Sequence, residues 1–219
     1  SDTPPTSSSK PKDIIHDDIC SICFDDVSIL DSTTFTICTE CGKAMHIKCD
    51  KQLYDAKGLS LEARQSCPIC RSKFVFPGSE EEIERLQRWT LRGRPWAQFL
   101  LGCLYKEGRS DFYITDYLSK DKKHVKGVKQ DPQRAYELFK LAADHGHHHA
   151  QYNLGAMYSN GEGVIQSDTL AFKYLKLSAD QGFGPAQYNV GGFYAIGEGV
   201  IQSDTLAFKY FKLSADISK

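Results

Sequence analysis

The stretch AQYNLGAMYSNGEGVIQSDTLAFKYLKLSADQG, Ala150 to Gly182, decides the fold because it returns 36 residues later as AQYNVGGFYAIGEGVIQSDTLAFKYFKLSAD, Ala186 to Asp216. Between Val164–Asp180 and Val200–Asp216 only Leu175 against Phe211 differs. A looser copy starts at AQFLLGCLYKEG, Ala97 to Gly108, and resumes at GVKQDPQRAYELFKLAADHG, Gly127 to Gly146. A polar, tyrosine-bearing insertion, about 109–126, interrupts it. Self-similarity at such a period is the signature of stacked structural units, each too small to bury its apolar face alone.

Each copy reads as two helices. Ala150, Leu154, Gly155 and Tyr158 share one face of the first, and Ala171, Tyr174, Leu175 and Ser178 recur at spacings of three and four on the second. Gly161 and Gly163 suit a helix C-terminus that needs positive φ, while Ser167/Asp168, or Asp131 followed by Pro132 in the first copy, supply the cap of the next helix. Gly155 and Gly191 fall mid-helix, where glycine costs roughly 1 kcal/mol relative to alanine, so a neighbouring helix is expected to approach closely there. The pattern, with its LG, Y, G-x-G-V and helix-capping Asp or Ser, resembles the SLR (Sel-one-like) repeat, a relative of the tetratricopeptide repeat, from about Trp96 to the end. That resemblance implies an all-α solenoid whose concave side binds a protein partner, and it implies no enzyme.

The first third of the chain obeys different physics. Seven of the eight cysteines lie between Cys20 and Cys70, too many thiols for a segment too short to build an ample core. Close Cys-x-x-Cys pairs with a histidine among them point to metal rather than disulfides. The candidate ligands are Cys20, Cys23, Cys38, Cys41, His46, Cys49, Cys67 and Cys70, enough for two tetrahedral zinc ions. Their layout resembles a cross-brace, in which alternate pairs share a metal. One zinc would take Cys20, Cys23, His46 and Cys49, and the other Cys38, Cys41, Cys67 and Cys70. With every position filled by protein, such zinc is structural.

Two families use this brace. The stretch CTECGKAMHIKC, Cys38 to Cys49, puts histidine fifth among the ligands, the order of the PHD finger, which reads histone tails. The residues between ligands argue the other way. PHD fingers carry an aromatic before the histidine and a tryptophan two residues before the seventh ligand, where this chain has Ala44/Met45 and Gln65. CSIC and CPICR instead resemble the zinc loops of RING ubiquitin ligases, a small α+β module. The resemblance implies that Ile22 and Pro68 anchor a ubiquitin-conjugating enzyme and that Arg71 is the linchpin cation holding ubiquitin in its attack-ready pose. The expected function is a RING-type ubiquitin ligase with no covalent intermediate on this chain; the alternative is a non-enzymatic adaptor with a PHD-like or inactive finger.

The domain plan is therefore an expected disordered tail at 1–13, a RING-type zinc module at 14–76, a linker helix at 77–95 and repeats at 96–146, 147–182 and 183–219. For the linker, Ser79 with Glu82 makes a capping box, and Gly93 and Pro95 make a stop. With 27 basic and 28 acidic side chains the chain has no electrostatic bias toward nucleic acid or membrane, so neither is an expected partner. No apolar run nears the roughly 18–20 residues of a bilayer span. Zinc thiolates suit a reducing compartment, cytoplasm or nucleus. The absence of an initial methionine and the end at SADISK suggest a fragment or a processed form. HGHHHAQ reads as a polar connection between repeats, SKDKKHVKGVK as a solvated loop, GEGV as no phosphate loop, and Cys103 as a core thiol.

Overall fold

The computed structural model describes residues 35–37, 44–46, 79–108, 112–115 and 122–216. The chain divides into two compact units, Ser1–Lys73 and Phe74–Lys219. In the first, β1 (Phe35–Ile37) pairs antiparallel with β2 (Ala44–His46), with Phe35 opposite His46 and Ile37 opposite Ala44.

The second unit holds α1 (Glu80–Leu91), α2 (Pro95–Glu107), α3 (Pro132–Asp144), α4 (His148–Asn160), α5 (Asp168–Asp180), α6 (Gly184–Ile196) and α7 (Asp204–Asp216). Between α2 and α3, β3 (Phe112–Thr115) and β4 (Lys122–Val125) pair antiparallel, so the insertion contains a hairpin where a loop was expected. Each helix packs on the one before and the one after it, the nearest-neighbour arrangement of a solenoid.

Local chemistry fixes the helix ends. The Ser79, Asp131, Ser167 and Ser203 side chains accept hydrogen bonds from the backbone N–H three residues on, at 3.0–3.4 Å. Gly161 closes α4 in the left-handed region, at φ 69°, where a Cβ would be strained. The mid-helix glycines are where paired helices touch: a Cβ on Gly155 would sit 2.5 Å from Leu175 Cγ, and one on Gly191 would sit 2.8 Å from Phe211 Cδ1.

The core falls into successive clusters along the stack. Leu86, Leu101, Phe139, Leu154 and Met157 are buried in its first part, and Leu175, Ala179, Ala186 and Val190 in its second. Leu86 and its half-buried neighbours Ile83 and Trp89 make α1 the first layer of this stack. No described helix is long and apolar enough to cross a membrane.

Candidate functional site

Of the expected zinc ligands, Cys20, Cys23, Cys38, Cys41, Cys49, Cys67 and Cys70 lie outside the described residues, as do Ile22, Pro68 and Arg71. His46 is the last residue of β2. Six residues separate the paired ends Ile37 and Ala44, and Cys38 and Cys41 are two of them. In sequence Cys38 directly follows β1 and His46 ends β2, and thiol and imidazole side chains are donors of the kind zinc takes.

In the helical unit, side chains recur at each seam. Tyr136 and Tyr158 hydroxyls bond at 3.0 Å, Phe172 meets Tyr194 edge-on at 5.2 Å, and Tyr158 and Tyr194 stack on Tyr174 and Tyr210. Burial and then the bond to Tyr136 push the Tyr158 phenol well above its ordinary range, and burial raises Tyr174. These phenols stay protonated at neutral pH and serve packing rather than proton transfer. The glutamines of the second and third AQ pairs have a purpose that periodicity does not reveal: the Gln151 amide donates to the Ala143 carbonyl and the Gln187 amide to the Ala179 carbonyl, both at 3.3 Å, closing the end of the preceding helix.

The histidine run is part of this seam. His148 and His149 belong to α4 and His147 is its N-cap, its Nδ1 accepting from the Ala150 N–H at 3.3 Å, so the run starts a helix instead of filling a connection. His147 stacks on Phe99 at 4.7 Å, and Phe183, 36 residues on, meets Tyr152 edge-on at 5.2 Å. Burial, with His149 and His148 beside it, lowers the His147 pKa to about 3. Among the described residues no group of three or more His, Cys, Asp or Glu could hold a metal ion. Burial raises the Cys103 thiol to about 12, which leaves it an unreactive packing group.

The surface shows what the sequence reading passed over. Ile165 is 90% exposed and Ile201 is 89% exposed, at equivalent places in two Gly-x-Gly turns. The signal for them was available: an isoleucine next to a glycine-rich turn, outside the helical apolar period, and repeated.

The Sel1 repeat family model matches residues 97–118, 125–147, 148–183 and 184–217, together more than half of the chain. The chain belongs to the Sel1 repeat family. Among solved structures, a protective antigen of uropathogenic Escherichia coli displaying an SLR fold is 31% identical, with a TM-score of 0.53, over 63% of this chain and 26% of that one. A Sel1 repeat protein from Oxalobacter formigenes is 24% identical, with a TM-score of 0.52, over 63% of this chain and 49% of that one, and shares the fold. A 67-residue stretch is 38% identical to the human E3 ubiquitin-protein ligase ZSWIM2. It amounts to 30% of this chain and 10% of that protein.

Proposed function

We propose that this chain is a RING-type ubiquitin ligase whose Sel1 repeats hold the protein to be modified. The observation that carries the reading is the eight-ligand series from Cys20 to Cys70, with CSIC and CPICR as its outer pairs and His46 ending β2. The partial likeness to a human E3 ubiquitin-protein ligase supports it. The repeats supply a stack of helix pairs, the arrangement of a module that presents a surface to a protein partner.

Zinc, held by Cys20, Cys23, His46 and Cys49 at one site and Cys38, Cys41, Cys67 and Cys70 at the other, would supply structure alone, because no coordination position is left for water. Ile22 and Pro68 provide apolar anchors for the conjugating enzyme on a small contact surface. The Arg71 guanidinium can donate to the conjugating enzyme and ubiquitin together, limiting the poses of the thioester-linked ubiquitin so that a lysine can attack. Catalysis is positional, and the cysteine nucleophile belongs to the partner. The histidine-fifth ligand order favours the second reading, a PHD-like adaptor.

Ubiquitin discharge from a panel of charged conjugating enzymes onto free lysine separates the two. Acceleration by the zinc-loaded chain is expected with at least one enzyme. No acceleration across a broad panel, with binding of histone-tail peptides, would replace the ligase by the adaptor.

A further inference from the structure

Two turns of nearly the same sequence, 161–168 and 197–204, lie against one another. A Cβ on Gly199 would fall 2.5 Å from the Asp168 carbonyl carbon, so the second turn abuts the start of α5, where the first turn ends. Each turn holds one isoleucine almost wholly in water, Ile165 and Ile201. A single exposed apolar residue is ordinary; the same one on adjacent turns of successive repeats makes a two-point apolar row. In the first copy the equivalent residue is the exposed Lys129, so the row is confined to the second and third repeats.

The two turns themselves carry charge of one sign. No lysine or arginine occurs from Leu141 to Phe172 or from Leu177 to Phe208, and both turns lie inside those stretches. Glu162, Asp168, Glu198 and Asp204 flank the isoleucines. Lys106 comes within 4.0 Å of Glu162, and among the described residues Asp168, Glu198 and Asp204 form no ion pair. The helix carboxylates Asp144 and Asp180, in contrast, are neutralised by Lys140 and Lys176 one turn earlier.

We infer that this edge docks an extended, basic segment of a partner protein in which apolar side chains alternate with lysine or arginine. In an extended peptide alternate side chains share one side, so the apolar set can meet Ile165 and Ile201 while the long lysine and arginine side chains between them bend back to the flanking carboxylates. The inference rests on the repeats being the partner-binding part of the ligase, and it names the partner's chemistry.

The test uses the full zinc-loaded chain and two fluorescent peptides, one alternating lysine with isoleucine and the other alternating glutamate with isoleucine. The lysine peptide is expected to bind about tenfold or more tightly than the glutamate peptide, with the preference shrinking as salt rises. The double variant Ile165→Ser/Ile201→Ser should weaken binding by about tenfold or more, because two apolar contacts are removed from water-exposed positions that the fold does not need. Tyr188→Ser, at an exposed site away from these turns, should leave binding unchanged. Failure of the lysine peptide to bind, equal binding of both peptides, an unaffected double variant or an equal loss in Tyr188→Ser would each overturn the inference. The same preparations assayed for lysine discharge keep the two readings apart: discharge without peptide preference sinks the docking edge alone, and peptide preference without discharge sinks the ligase alone.

Discussion

Helices α5 and α7 carry DTLAFKYLKLSAD and DTLAFKYFKLSAD, one residue apart, yet they are buried differently. Ser178 and Ala179 are buried in α5, whereas Ser214 is half-buried and Ala215 exposed in α7. Phe172 meets Phe193 and Tyr194 of the following helix, while its counterpart Phe208 is 71% exposed. Burial in this molecule is therefore set by the neighbouring repeat rather than by the residue, as expected when stability is a sum of repeats and the contacts between them.

The strongest way to break that comparison is truncation at each position. Leu175→Ala should destabilise the helical unit by about 3 kcal/mol, since the side chain is buried and its loss leaves a cavity beside Gly155. Phe208→Ala removes a larger side chain yet should cost less than about 0.5 kcal/mol, because water already surrounds it. Denaturant melts of the two variants decide the matter, and equal losses would refute the neighbour argument.

A second contrast lies in pH. His147 and Phe183 occupy the same place at successive seams, but only the former titrates. The unfolded chain takes a proton near the ordinary value of 6.5, while the folded ring stays neutral until about 3. Stability is thus fully present above pH 6.5 and falls between pH 6.5 and 3, by at most about 1.4 kcal/mol per pH unit from this group. His147→Phe should flatten that part of the stability profile, and an unchanged slope would show that His147 carries none of it. The smallest effect is at the tyrosine rows: Tyr158→Phe loses the bond to Tyr136 and about 1 kcal/mol, whereas Tyr194→Phe, facing Phe172, should melt like the parent.

Much of this was legible in the chain. Ser79, Asp131 and Ser167 cap the helices they precede, and Gly155 and Gly191 are sites of close approach, because caps and mid-helix glycines are local signals with local causes. The histidine run reads as a connection by composition but starts α4, since His147 makes a local N-cap bond and stacks on Phe99, a neighbour that only the stacked repeats provide. Gln151 and Gln187 look like surface residues and are buried, for the carbonyls they satisfy belong to the previous repeat. The β3–β4 hairpin escaped notice because Lys122, Lys123 and His124 mask any alternation of apolar and polar residues. For the zinc module, ligand spacing carries the whole argument, and of its ligands only His46 falls on a described strand.

Lysine discharge by the full chain, measured before chelation, after it, and after zinc is returned, decides whether the ligase reading stands. Acceleration is predicted to disappear on chelation and to return as about two zinc ions per chain are restored, because in the proposed ligase the metal would hold Ile22, Pro68 and Arg71 in place. Discharge that persists unchanged in the zinc-free chain would contradict that reading.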